Sequence, residues 1–270
     1  MKKPYLKKLC EIGNIKCWIV DGTYVRNHIE KEFTNFGHHY RFKVIPENEF
    51  WLDKESADGE ERYYLCNVKT IEAIKKGKSY KEAVEIGEKA EKRERAKSEL
   101  SKKAGKKQKH GEGILRDIYK NQIKIPNSDM KVIVVNGEFV RDQFFLDFTE
   151  GGHDRVYHFI PKGEIWIDDD VQKKEIKFVL LHEIHERNLM AKGWTYDRAH
   201  IDSSCIEGFC RHHPNKVDKM LKVEFQKAKV NSFMIFVLQF SDVFLRQNQY
   251  SKYLQQAIQN ETVSSLNRQD

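Results

Sequence analysis

The chain has 270 residues and a formal net charge of +7, with 39% hydrophobic and 11% aromatic residues. This composition excludes a largely disordered chain and allows one large or two small packed domains. Five cysteines at irregular spacing argue against a disulfide scaffold and predict a reducing, cytoplasmic location. The first residues lack the apolar segment of a secretory signal, and no run of about 18 uncharged apolar residues predicts a membrane span.

An internal duplication organises the sequence. Residues 18–53 and 133–168 align without gaps and are identical at 13 of 36 positions, where chance gives about two. The similarity continues when residues 75–83 are placed over 191–199, with one residue missing from the first copy. The predicted organisation is a first repeat over 1–101, a basic linker over 102–113, a second repeat over 114–213 and a helical tail over 214–270.

Each repeat is predicted to begin with a small antiparallel sheet. Asp21-Gly22 and Asn136-Gly137 lie between β-rich runs, which is a strong signal for a hairpin turn. Further strands are predicted for four short segments: RFKVIP (41–46), EFWLD (49–53), VYHFIP (156–161) and EIWID (164–168).

Two helices follow the strands, most clearly in the second repeat. Apolar residues recur at helical spacing from Ile176, and Asp168-Asp169-Asp170 could cap the start of this helix. Gly193 is expected to end it. A second helix is predicted from Thr195 to about Arg211, before Pro214. The fold class is therefore α+β, with two tandem units of a sheet followed by a helical hairpin.

The net charge is concentrated in one segment. Residues 88–125 contain 13 Lys or Arg against 6 Asp or Glu, so the rest of the chain is balanced. We interpret this segment as a solvated helix end and linker. A weak contact with nucleic acid through residues 88–125 is the alternative.

The segment LLHEIHER, residues 180–187, is the strongest candidate site. His182 and Glu186 are four residues apart and share a helix face. Glu186 precedes Gly193 by seven residues and His200 follows it by seven, so a helical hairpin places both at one level. Two imidazoles and one carboxylate are a ligand set of catalytic zinc, with one position left for water.

The first repeat lacks every member of this constellation. Cys66, Thr70 and Val84 stand at the positions of His182, Glu186 and His200. Asn67 corresponds to Glu183, and Lys69 to His185. Residues shared by both copies are interpreted as architecture, and residues confined to the second copy become candidates for chemistry.

The run His182-Glu183-Ile184-His185-Glu186 resembles the His-Glu-x-x-His motif of the zincin metallopeptidases over about twenty residues. This resemblance implies that Glu183 is the general base. The chain departs from the motif, because Glu186 stands where the second histidine is expected and His200 where many members supply a carboxylate. His185 is an alternative ligand to Glu186. A charged helix surface without metal also explains the motif.

Two weaker groups are given structural interpretations. CIEGFCRHH, residues 205–213, is interpreted as two buried cysteines and a histidine pair at a helix end. His38 and His153, which follow glycine in both repeats, are interpreted as structural turn residues, although His153 could line a cleft beside the helices.

The sequence thus predicts a zinc-dependent hydrolase with its site in the second repeat and a structural or binding role for the first. A peptide or protein substrate follows by analogy alone. The alternative is a non-catalytic protein that binds nucleic acid or another protein through the basic linker and the paired repeats.

Overall fold

The computed structural model describes residues 4–55, 58–103 and 115–229. Most of the predicted linker and residues 230–270 of the predicted tail lie outside this part of the chain. Both repeats fall within one compact unit, residues 1–225. A second unit begins at residue 226, and of it only residues 226–229, which are helical, are described.

The two repeats contain the same series of elements. The first repeat comprises β1 (Tyr5–Ile12), β2 (Ile15–Val20), α1 (Gly22–His28), β3 (Phe36–His38), β4 (Glu49–Asp53), α2 (Glu61–Tyr64), α3 (Val68–Lys75) and α4 (Tyr80–Arg95). The described part of α5 covers residues 99–103. The second repeat comprises α6 (Leu115–Ile118), β5 (Tyr119–Ile123), β6 (Lys131–Val135), α7 (Gly137–Gln143), β7 (Gly151–His153), β8 (Glu164–Asp168), α8 (Ile176–Ala191) and α9 (Tyr196–His212). Residues 217–229 are also helical.

Each repeat forms one four-stranded sheet, with strand orders β1-β2-β4-β3 and β5-β6-β8-β7. The predicted α+β class and the succession of sheet and helices are therefore confirmed. The sheets are mixed, because β2 pairs with β4, and β6 with β8, in parallel. This central pairing differs from the wholly antiparallel sheet that the sequence suggested.

The predicted hairpin turns are the starts of helices. Asp21 accepts a hydrogen bond from the backbone N–H of Tyr24 at 2.9 Å, and so caps α1. Asn136 caps α7 in the same way. The glycine that follows is required for close packing, since a Cβ on Gly22 would lie 1.9 Å from Asp53 Oδ2. An Asp-Gly or Asn-Gly pair signals a cap as well as a turn, and here the cap forms.

The segments at 41–46 and 156–161 are turns and not strands. In the first repeat, the N–H of Phe42 bonds to the carbonyl of His38, and that of Ile45 to the carbonyl of Phe42. Ile45 is nevertheless buried in the core. The apolar residues of these segments thus enter the core from successive turns. The predictions of EFWLD and EIWID as strands are confirmed by β4 and β8.

The identical residues of the two copies build the core. The core of the first repeat includes Val20, Val25, Phe33, Ile45 and Trp51. Their counterparts form the core of the second: Val135, Val140, Phe148, Ile160 and Trp166. Their interpretation as architecture is confirmed, because burying these side chains stabilises each sheet and its helix.

Buried ions connect the repeats to each other. Arg141 of the second repeat bonds to Asp168 of its own sheet and to Glu60 of the first repeat. The corresponding Arg26 bonds to Asp53 at 2.7 Å and lies 3.4 Å from Glu150 of the second repeat. These arginines are among the identical residues, and both point toward the boundary between the repeats.

The helical hairpin of the second repeat forms as predicted. Gly193 has φ +89°, a conformation that favours glycine, and Thr195 precedes α9 as its N-cap. Asp168-Asp169-Asp170 do not cap α8, which begins at Ile176 after Glu175. Asp168 instead ends β8 and receives the bond from Arg141. None of the described helices is long and apolar enough to cross a membrane.

Candidate metal centre

The α8–α9 hairpin brings the three predicted ligands together. Oε2 of Glu186 lies 2.9 Å from Nδ1 of His200 and 3.5 Å from Nε2 of His182. The two imidazole nitrogens are 3.1 Å apart. Tetrahedral zinc with ligand bonds of about 2.0–2.1 Å separates neighbouring ligand atoms by about 3.3 Å. The three atoms therefore form a triangle of the size that one zinc ion requires.

His182 is oriented by a carboxylate on the side away from this triangle. Its Nδ1 lies 2.9 Å from Oε2 of Glu207, which projects from α9. Arg211, one turn further along α9, donates to Glu207 at 2.8 Å and also bonds to Glu175. A carboxylate behind a histidine fixes the ring and its tautomer, and is a common arrangement around metal-binding histidines.

Glu186 is oriented by His153, at the end of β7. The Nδ1 of His153 accepts a hydrogen bond from the backbone N–H of Arg155 at 3.2 Å, so the ring proton is on Nε2. Nε2 lies 3.0 Å from Oε1 of Glu186 and donates to it. The other oxygen of Glu186 thereby remains directed at His182 and His200. His153 thus holds a ligand of the candidate centre, a role that the sequence analysis did not assign to it.

Glu183 lies beside His153 and Glu186 and lines a cavity in front of the candidate ligands. Its side chain packs against Gly151, where an added Cβ would lie 3.2 Å from Cγ of Glu183. In the first repeat Phe36 stands at the position of Gly151, and Asn67 at that of Glu183. Ligand-type atoms of His153, Glu183 and Glu186 also lie within 4.8 Å of one another. Glycine at position 151 leaves room for the side chain of Glu183, whereas the first repeat has Phe36 there and no glutamate. This difference between the copies is visible in the sequence.

The charges of the cluster favour a cation. Burial would lower the pKa of His182, but hydrogen bonds to Glu186 and Glu207 outweigh this effect and raise it. Hydrogen bonds to Glu186 and Glu32 raise the pKa of His200 to about 9. Burial would raise the pKa of Glu186, but hydrogen bonds from three histidines lower it. The pocket stabilises positive charge, which protons or a metal ion can supply.

Burial and the nearby charge of Glu186 raise the pKa of Glu183 to about 8, against a smaller opposing effect of His182. The environments of Glu183 and Glu186, which are three residues apart, therefore shift their pKa values in opposite directions. Such a separation is a feature of sites in which two carboxyl groups have different functions.

His185 is directed away from the cluster. Its Nε2 lies 2.8 Å from Asp202, and its Nδ1 lies 3.1 Å from Glu224. Within the described residues, the groups with metal-ligand geometry do not include His185. The structure thus brings His182, Glu186 and His200 together and leaves the alternative ligand outside.

The first repeat keeps the framework of the site without its ligands. Glu91 and Arg95 occupy the positions of Glu207 and Arg211 and form the same ion pair, at 2.8 Å. Glu91 accepts a hydrogen bond at 2.5 Å from Asn67, the counterpart of Glu183, whereas Glu207 bonds to His182. The carboxylate of Glu207 is therefore part of the duplicated architecture, and His182 is the addition that makes it a partner of a ligand.

Within the part of the chain that the structure describes, no residue of the segment at 205–213 belongs to a group with metal-ligand geometry. Cys210 is buried as expected, whereas Cys205 is exposed. His212 and His213 bond to backbone carbonyls four residues earlier, at the end of α9. Their interpretation as a histidine pair at a helix end agrees with these contacts.

A cavity of about 460 Å³ opens in front of the cluster. Its walls include His182, Glu183 and His200 on one side and the first repeat's residues 26–32 on the other. The cavity is lined by charged groups of both signs, among them Lys31, Glu150 and Arg211. His182 and His200 are therefore accessible from the cavity, whereas Glu186 is buried behind them.

Comparison with models of protein families, with curated proteins and with solved structures finds no match to this chain.

Proposed function

We propose that the second repeat binds one zinc ion through His182 Nε2, Glu186 Oε2 and His200 Nδ1, and that the protein is a zinc-dependent hydrolase. The observation that supports this most strongly is the triangle of 2.9, 3.1 and 3.5 Å between these atoms. Three protein ligands are typical of catalytic zinc, whereas structural zinc usually has four.

The remaining residues of the site have complementary roles. Zinc in such a set supplies Lewis acidity, which polarises a carbonyl group and acidifies water. The positive charge of a bound zinc ion would favour the ionised form of Glu183. In that form Glu183, on the cavity wall, would accept a proton from water and deliver it to the leaving group. His153 and Glu207 hold Glu186 and His182 in their orientations. A peptide or amide bond is the proposed substrate class, through the resemblance of residues 182–186 to the zincin motif.

A cytoplasmic location is part of the proposal. All five cysteines are unpaired thiols, which agrees with a reducing compartment.

The metal content of protein purified without a polyhistidine tag tests the proposal. We expect close to one zinc per chain for the wild type and close to none for His182→Ala. His185→Ala is the matched control, because His185 lies on the same helix and faces Asp202 and Glu224 instead. Zinc retained in His182→Ala, or lost equally in both variants, would contradict the assignment. Zinc-free wild type that binds nucleic acid in a salt-sensitive manner would favour the binding-protein alternative.

A further inference from the structure

Each imidazole of the candidate centre has a carboxylate beside its outer ring nitrogen, and the two carboxylates come from opposite repeats. His200 directs Nδ1 toward Glu186 and His182. Its other nitrogen, Nε2, lies 3.5 Å from Oε2 of Glu32. Glu32 belongs to the first repeat, in the loop between α1 and β3. Glu32 lies beside the ring nitrogen of His200 that faces away from the candidate metal position, as Glu207 does for His182.

We infer that Glu32 is a positioning residue of the metal centre, so that the zinc site of the second repeat is completed by the first. The inference rests on the proposed function, because it concerns the same ion. A carboxylate on the far nitrogen of a metal-binding histidine selects the tautomer with a free Nδ1 and raises its basicity as a ligand. Without Glu32, the ring of His200 would keep its contacts through Nδ1 and its stacking on Tyr196, with ring centroids 5.4 Å apart, but it would lose the carboxylate that selects its tautomer.

The duplication gives a reason for this exchange between repeats. Asp147 occupies in the second repeat the position of Glu32 in the first. It lines a cavity of about 290 Å³ beside Asn67, Thr70 and Val84, which are the counterparts of the candidate site residues. The acidic residue at this loop position in each repeat, Glu32 or Asp147, therefore lies beside the helical hairpin of the other repeat. Glu32 contacts His200 in this way, whereas the counterpart of His200 in the first repeat is Val84.

Glu32 reaches His200 across a boundary that other charged groups also bridge. Buried ion pairs of Arg141 with Glu60, and of Arg26 with Glu150, cross the same boundary. Ser204, one turn after His200 on α9, also interacts with Glu32.

The experiment compares zinc affinity in the full-length chain. Glu32→Ala, Glu32→Gln and the matched control Asp147→Ala are titrated with zinc against a chelating indicator. The d–d absorption of bound Co²⁺ reports ligand geometry, and thermal unfolding of the metal-free proteins reports folding. We expect the zinc dissociation constant of Glu32→Ala to rise about 10-fold to 100-fold. Glu32→Gln should lose less, since its amide oxygen still accepts a hydrogen bond from His200.

The expected pattern includes a changed cobalt spectrum in Glu32→Ala and wild-type zinc affinity in Asp147→Ala. Wild-type affinity and spectrum in Glu32→Ala would overturn the inference while leaving the proposed zinc site intact. Equal weakening by Asp147→Ala and Glu32→Ala would also overturn it, since the effect would then be a general loss of packing between the repeats. A wild-type chain that binds no zinc would overturn the proposed function itself.

Discussion

His153 donates from Nε2 to Oε1 of Glu186 at 3.0 Å, across the space between β7 and α8. Its counterpart His38 has the same place in the first sheet, but Thr70 replaces the glutamate there. His153 therefore orients a candidate ligand, whereas His38 occupies the equivalent place without a glutamate to orient.

This pair gives the first prediction. His153→Phe keeps a planar aromatic ring and removes the donor to Glu186, so zinc affinity should fall about 10-fold to 100-fold. The measurement is zinc competition against a chelating indicator. His38→Phe is the control and should leave zinc affinity unchanged. A similar loss in both variants would show that the histidine acts through general packing.

The second prediction separates catalysis from metal binding. Glu183→Gln keeps the shape of the side chain and removes its basic carboxylate. Zinc content should stay close to that of the wild type, while hydrolysis of a peptide library should slow about 100-fold to 10,000-fold. Loss of zinc would instead make Glu183 a ligand, alongside His153 and Glu186. Unchanged turnover would remove Glu183 as the general base.

The third prediction concerns the pH dependence of stability. Burial, and then the charge of Arg41, lower the pKa of His38 from 6.5 to about 4. Between these values the unfolded chain binds the proton and the folded chain does not, so stability falls as the pH drops from about 6.5 to 4, by at most about 1.4 kcal/mol per pH unit.

Urea unfolding of the wild type and of His38→Gln at pH 7 and pH 5 measures this effect. The free energy of unfolding should decrease more on acidification in the wild type than in the variant. Parallel decreases would mean that His38 does not contribute.

The fourth prediction concerns the ions between the repeats. Arg141→Met leaves the buried carboxylate of Asp168 without its arginine and leaves Glu60 with Arg95 alone, which should cost about 3–5 kcal/mol of unfolding free energy. Urea unfolding is the measurement. Lys97→Met is the control, because its ion pair with Glu94 is exposed, and it should change stability little. A small effect of Arg141→Met would show that water or other groups compensate both carboxylates.

The sequence was sufficient for the features that depend on local spacing. The duplication, the α8–α9 hairpin and the convergence of Glu186 with His200 follow from identity, helical periodicity and the turn at Gly193. The pairing of β2 with β4 could not be predicted in this way. The Asp21-Gly22 dipeptide has the same residues whether it forms a turn or caps a helix, and its close packing against Asp53, which is distant in sequence, is visible only in the structure.

The partners of the candidate ligands were missed for a different reason. Residues shared by both copies were interpreted as architecture. His153 and Glu207 have counterparts in the first repeat, so this rule could not reveal that they also orient Glu186 and His182. Glu32 comes from the other repeat, so no spacing within the second repeat can reveal it. The rule succeeds for residues that were replaced, such as Thr70 against Glu186.

The ligand set of the bound ion is the most direct test of the account, and X-ray absorption at the zinc K-edge of the full-length protein measures it. We expect nitrogen and oxygen ligands at about 2.0–2.1 Å from the zinc, with the scattering of two imidazoles. His200→Ala should reduce this to one imidazole, while His185→Ala should keep both. A sulfur shell at about 2.3 Å would place the zinc on cysteines and contradict the assignment, as would an unchanged two-imidazole signal in His200→Ala.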